Sequence, residues 1–346
     1  ILSPVILYVF IRTMDLGDVI EDGAISTKRV HLDTVGNAPR GAALGYLRMG
    51  AQTVPQVAFY LHFVNMAFKR REVRMLDWLL VAFLASLSLA LPFLTSSRLE
   101  MVFLVLACII IYNYAMRRVS VVRGMMVMVL IAVVIAFLGQ LRLEGRGTDK
   151  IKEPFSVSRV AESLLGKAYF MDIGKTSVVI EAVPDRVDYL NGQSFALFLL
   201  APIPRTMWPE KPAVRIGLFV GQYLYLRNSD SGVPPGIIGE LYMNFGWPGI
   251  VLGMALFGAL YGKLYVVTIA ARRSPMRIVV FALGTLFFSV TLLSADFTAF
   301  MSQIFRYGVP LLLFMLFRRV KEGNRRRGAG MTFPAQPPRT LQRTPY

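Results

Sequence analysis

Three short stretches of this chain set cations and carboxylates on backbone that proline constrains. In "PIPRTMWPEKP" (202–212), Arg205 and Lys211 flank Trp208 among four prolines. Proline fixes φ and removes a backbone donor, so these cations sit on a restricted geometry and not on a floppy loop. A guanidinium held in that way suits bidentate binding of phosphate oxygens, and Lys211 adds a point charge. Trp208 carries the amphipathic ring that collects at lipid–water boundaries, so a purely structural turn anchored by the tryptophan is the competing reading. In "SGVPPGIIGELYMNFGWPG" (231–249), Glu240 lies within an apolar segment. A carboxylate there is costly, and it is usually functional or paired. Glu240 and Asn244 are i and i+4, on one helical face. Glu240 could act as a general base, or it could form an ion pair with an arginine that only closes the fold. In "TSSRLE" (95–100), Arg98 stands where the chain re-enters an apolar run, with Glu100 two positions on. It could meet an anion, or snorkel to the interface and pair locally.

Other polar groups are weaker candidates. Arg142, Arg146, Arg159, Arg215 and Arg227 add cations on the same side, and Asp296 and Arg306 are placed to pair across the last turn. His31 has no clustered ligands and does not make a metal site. Cys108 is the one cysteine, which excludes an intramolecular disulfide. The chain has no P-loop, GxGxxG or HExxH, and no cofactor or metal is expected.

The elements that would position these residues are membrane helices. The chain is 55% hydrophobic with mean hydropathy +0.54, above the range of soluble domains. Apolar runs near the ~20 residues needed to cross a bilayer fall at 46–68, 76–94, 99–116, 124–141, 247–269, 278–295 and 301–317. The first eleven residues, "ILSPVILYVFI", read as the end of another. Residue 1 is isoleucine, so a longer product with further N-terminal spans is expected. The expected fold is all-α: a polytopic integral membrane protein with at least 7–8 spans and one long extracytoplasmic loop bearing short surface or re-entrant helices.

The net charge of +17 follows this topology. The segments 69–75, 117–123 and 272–277 and the tail after Phe317 hold 18 of the 38 basic residues and alternate with weakly charged turns. That is the pattern of cytoplasmic loops, so no nucleic-acid partner is needed to explain the charge. It puts the C-terminus in the cytoplasm, and the turns at 95–98 and 296–300, with the stretch 142–246, on the other side. That long stretch has 12 basic and 11 acidic residues and reads as a folded element, not an anchor for anionic lipid.

Four regions follow: membrane spans over 1–141, the extracytoplasmic loop over 142–246, C-terminal spans over 247–317 and a basic disordered tail over 318–346. Within the loop, 158–183 has amphipathic spacing that suggests one or two short helices. The run "SFALFLLAPIP" (194–204) is too short to span, and Pro202 and Pro204 stop it. Non-helical backbone at that depth must be buried in protein or line a wet cavity.

"APIPRTMWPEKP" followed by "VPPGIIGELYMNFGWPGIVLG" resembles the bacterial oligosaccharide repeat-unit polymerases, the Wzy-type O-antigen and exopolysaccharide polymerases. The resemblance covers roughly 195–255, with Arg98 in support; the remainder is similar in hydropathy. It implies a GT-C-like, inverting, metal-independent glycosyltransferase in the bacterial inner membrane with its active face extracytoplasmic. Such an enzyme moves a glycan from undecaprenyl diphosphate to a sugar hydroxyl of another lipid-linked repeat. By the same resemblance, Arg205, Arg98, Arg215 and Lys211 would hold the diphosphate, and Arg205 would stabilise it as it leaves. Glu240 would be the base, while Trp208 and Asn244 would face sugar or interface. The expected partners are the lipid-linked oligosaccharide, the bilayer, a flippase and a chain-length regulator. The motif region departs from the family pattern in having no histidine, which leaves open whether any side chain deprotonates the acceptor. Two other functions compete: a transporter or flippase of lipid-linked oligosaccharides, and a non-catalytic membrane partner in polysaccharide assembly. Transporters often carry charges at the bilayer midplane, whereas these cations gather on one side.

Overall fold

The computed structural model describes residues 39–69, 72–94, 98–127, 129–130, 133, 173–200, 203, 207–208, 216–225, 232–271 and 274–329, and every regular element among them is helical. The main helices are α1 (Pro39–Lys69), α2 (Met75–Leu94), α3 (Arg98–Ala115), α4 (Ile173–Ala182), α5 (Gln193–Leu200), α6 (Ile216–Phe219), α7 (Gly236–Tyr265), α8 (Pro275–Leu286) and α9 (Phe297–Ala329). α6, α7 and α8 each run on into a π-helical turn, at Val220–Leu224, Val266–Ala270 and Phe287–Thr291.

Among the described residues, four helical stretches are long and apolar enough to cross a membrane: Met75–Pro92, Gly236–Ala270, Pro275–Ser294 and Phe297–Arg319. Glu100–Ala115 is apolar but shorter. The molecule is thus an all-α protein suited to a membrane. α8 is the central helix, with 56% of its apolar window buried against 17% for α2 and α9. On α2, Met75, Leu76, Trp78 and Leu79 are exposed, as suits a helix whose apolar surface meets lipid. α1 packs against α2, α3, α8 and α9. It covers the expected 46–68 run but is less apolar than the four stretches, because Gln52, Thr53 and Gln56 lie on its buried face.

The last two long helices start on recognisable signals. Ser274 caps α8, its hydroxyl accepting the Arg277 N–H at 3.4 Å, with Pro275 at the first helical position. Asp296 caps α9, its Oδ1 accepting the Ala299 N–H at 2.7 Å. The end of the bundle that holds the α2–α3 and α8–α9 turns is the turn end; Lys69, Lys263 and Arg318 mark the basic end.

α7 begins at Gly236 and is broken at Gly246, where φ 63° and ψ −153° leave the helical region. That conformation is essentially a glycine one. The expected boundary between loop and membrane, at 246/247, falls on this break, so Glu240 and Asn244 belong to the first arm of a long helix. Nearly all of α7's buried residues lie between Gly236 and Gly249, and beyond them only Phe257 is fully covered. The cover comes from the part of the chain expected as a loop: Val179 on α4, Val183 just after it, Val220 after α6 and Val233 form a small apolar core against Tyr242 and Met243. α5 ends at Leu200, ahead of the stopping prolines as expected. At the other terminus α9 continues to Ala329, past the expected tail boundary at 318. Lys, Arg and Glu are good helix formers, so "RRVKEGNRRR" carries the helix on. Residues 330–346, and the expected helix over 158–172, lie outside the described residues.

Candidate functional site

The first arm of α7 is laced to three neighbours through Glu240 and Asn244, both fully buried. Ser194, on the first turn of α5, donates its hydroxyl to Glu240 Oε1 at 2.7 Å. The backbone N–H of Phe297, the first residue of α9, donates to Glu240 Oε2 at 2.7 Å. Asn244 Nδ2 donates to Ser194 Oγ and to the Glu240 carbonyl, both at 2.7 Å, while its Oδ1 accepts the Gly192 N–H at 2.8 Å. The chain presents that N–H by turning through two left-handed residues, Asn191 (φ 47°) and Gly192 (φ 88°). Leu190 N–H to Met243 O at 2.9 Å and Gly236 N–H to Ala295 O at 2.8 Å complete the lacing.

This arrangement reads as a joint. Two carboxylates, Glu240 and Asp296, serve the same helix start, where the unsatisfied N–H groups and the helix dipole favour negative charge. Among the described residues, the partners of Glu240 are a hydroxyl and a backbone N–H. The ion-pair reading of the sequence thus finds its counterpart in uncharged donors. Both oxygens of the carboxylate are occupied, and none of its surface is open to a substrate in this conformation.

α5 lies across the turn ends of α7 and α9. Phe195 stacks on Phe245 at 6.2 Å and meets Phe297 edge-on at 5.0 Å, and Phe198 reaches Phe305 at 5.7 Å. Below it an apolar groove of about 1020 Å³ runs between α7 and α9, from Phe195 and Phe245 past Leu256 and Phe300 to Lys263 and Val267. From Pro248, just past the break at Gly246, to Val267 is 19 residues, about 28 Å of helix, close to the ~30 Å thickness of a bilayer core. Among the described residues, Lys263, at the basic end, is the one charged residue lining it.

A second polar cluster lies on the other side of α9. Arg306 Nη1 stands 3.3 Å from Glu100 Oε1, and its Nε donates to Thr53 Oγ1 at 2.7 Å. Gln52 donates to the other Glu100 oxygen, and Tyr307 donates to Gln56 Oε1. Arg306 was expected opposite Asp296; its ion partner is Glu100, because the α9 periodicity turns it toward α1 and α3.

Of the other expected site residues, Trp208 is 39% exposed beside the exposed Met207, as suits an interfacial ring. Arg205, Lys211 and Arg215 lie outside the described residues, as does the side chain of Arg98, whose backbone begins α3. Sequence reasoning put Glu240 and Asn244 on one helical face, where they are. Asn244, expected to face sugar or the interface, is instead fully buried with its amide spent on Gly192, Ser194 and Glu240. Ser194, Gln52, Thr53 and Gln56 were missed. The three on α1 did carry a signal: polar residues at i, i+1 and i+4 share one face of an otherwise span-like stretch. Ser194 carried none.

Comparison with protein-family models, with curated proteins and with solved structures found no match to this chain.

Proposed function

We propose that this chain is a bacterial inner-membrane glycosyltransferase of the C type that polymerises undecaprenyl-diphosphate-linked oligosaccharides on its extracytoplasmic face. The observation that carries the reading is the groove between α7 and α9. It is apolar along a full bilayer thickness, which suits a long isoprenoid chain held sideways in the membrane. Its turn end lies under α5, and α5 leads within five residues to Arg205. A lipid seated there would have its tail along α7 and its head group at the turn end, where α5 stands five residues of chain from Arg205. Arg205, aided by Arg98, Arg215 and Lys211, would hold the diphosphate and stabilise the charge that develops as it leaves. With further spans over 46–68 and 124–141 and before residue 39, the chain would have at least 7–8 crossings.

In this reading Glu240 is a positioning residue. A base must reach the proton that it removes, and the Glu240 oxygens are spent on Ser194 and Phe297. Its task is to hold α5 against α9, and with α5 the start of the stretch 202–212. The test is polymer length on a gel: Arg205→Ala leaves single repeats on the lipid carrier with their export intact. Long polymer from that variant would remove the reading. The Glu100–Arg306 pair inside the bundle favours a second reading, a transporter of lipid-linked oligosaccharides, because charges within spans often mark transport paths. Under that reading Arg306→Met abolishes export while polymerisation by isolated membranes survives.

A further inference from the structure

The polar face of α9 holds groups that the reading above does not use. Three side-chain atoms among the described residues are buried without a hydrogen-bond partner: Thr291 Oγ1, Gln303 Oε1 and Arg306 Nη2. They converge. α8 with its extension and α9 run antiparallel on either side of the turn at 295–296, and Phe287 and Tyr307 meet across them at 5.5 Å between ring centres. Four residues toward the turn end on each side stand Thr291, at the end of the π-helical turn, and Gln303, so the two lie at about one level. Arg306 is three residues beyond Gln303, a surface neighbour on the same helix. Its side chain is only 10% exposed, and its other nitrogens are pinned by Thr53 and Glu100, which fixes where Nη2 stands.

Charge and hydrogen-bonding capacity select the ligand. Glu100 already neutralises Arg306, so an anion would bring uncompensated negative charge into a poorly hydrated site. An apolar group would leave all three atoms unmet. A group with adjacent oxygens, one accepting from Nη2 and one donating to Gln303 while exchanging a bond with Thr291, satisfies the set. We propose that Thr291, Gln303 and Arg306 form a subsite for neighbouring hydroxyls of a neutral sugar. The repeat unit as the source of that sugar rests on the polymerase reading. Access comes along Glu100, whose side chain is 21% exposed. Glu100 lies two residues into α3, near the turn end of the bundle.

The test uses the full chain in lipid nanodiscs, with free glucose, galactose, mannose, rhamnose and N-acetylglucosamine as probes and inorganic phosphate as the anionic control. Ligand-observed NMR is expected to find at least one sugar bound, with Thr291→Val and Gln303→Leu each raising its Kd tenfold or more. Because the Thr291 hydroxyl has no partner among the described residues, Thr291→Val without sugar should melt at or above the parent temperature. A lower melting temperature, binding of no sugar (ordered water only), binding that both variants leave unchanged, or phosphate bound in place of sugar each overturns the proposal. Sugar binding that persists in a chain whose Arg205→Ala variant still makes long polymer keeps the subsite and removes the polymerase reading.

Discussion

Exchanging Glu240 for glutamine separates a carboxylate that holds the turn end together from one that reacts. The introduced amide has the same shape but one acceptor oxygen in place of two. The Phe297 N–H can only donate, so that oxygen must serve it, and the new NH2 then faces Ser194 Oγ. Ser194 already accepts from Asn244, so its own hydroxyl proton loses its partner. One orphaned buried donor costs about 1–3 kcal/mol, and the lost attraction between a carboxylate and the start of α9 costs about 0.3–1 kcal/mol more. The expected loss is therefore about 2 kcal/mol, with alanine worse because it orphans both donors and opens a hole. Thermal unfolding in nanodiscs should fall by roughly 4–8 °C, on the scale of about 2–4 °C per kcal/mol for large domains. Hydrogen exchange should rise at residues 190–200 and 297–300 and stay unchanged in α2. Under the polymerase reading, polymer length should shorten in step with the lost protection and recover at lower temperature. A glutamine variant that melts and exchanges like the parent yet makes no polymer at any temperature would refute the positioning argument and restore Glu240 as a base.

Three further outcomes test other parts of the structure. Gly246→Ala should lower stability by about 1–3 kcal/mol, because alanine resists this backbone conformation and its Cβ would stand 3.2 Å from the Tyr189 hydroxyl. Gly258→Ala, a helical position with open space around it, should instead raise stability by about 0.5–1 kcal/mol; both are read from melting temperature. Glu100→Leu and Arg306→Met should each cost about 3–5 kcal/mol alone, and the double variant far less than their sum, since a lone buried charge is worse than none. A double-mutant cycle from detergent-induced unfolding measures that coupling, and additive costs would show that the pair is solvated. Leu256→Trp fills the groove from an exposed position, so it should leave the melting temperature unchanged and, under the polymerase reading, slow consumption of the lipid-linked repeat.

Hydropathy and charge made the helical membrane class legible, because a bilayer requires long apolar runs and the basic loops punctuate them. Spacing also made one pair of the site legible: Glu240 and Asn244 share a face because a helix returns every 3.6 residues. Their partners were not legible. Ser194 and the Phe297 N–H lie 46 and 57 residues from Glu240, and only the closing of α5 and α9 onto α7 brings them together. The arginine expected for Glu240 went unneeded for the same reason: a helix start supplies positive potential without any charged side chain. The start of α7 also escaped a hydropathy reading. Its first arm is covered by protein, so the chain there is apolar without facing lipid, and the glycine at 246 looks like a loop residue until its φ is seen.

α9 ties these parts together through its two faces. At 100° per residue, Phe297, Phe300, Met301 and Ile304 fall within about 100° of arc, and all four line the groove. Arg306 points about 170° from the centre of that arc, and it meets Glu100 and Thr53. The helix is therefore a wall with an apolar channel on one side and a charge-paired interior on the other. Its rotation is fixed at the top by Glu240 and a third of the way down by Glu100. A change at either carboxylate must alter both faces at once, because a rigid helix cannot turn on one side alone. Coupling between Glu240→Gln and Glu100→Gln, residues on different helices with no shared partner, is the sign that α9 transmits it. Strict additivity in melting temperature and in groove occupancy by a spin-labelled lipid would show instead that the two anchors act separately.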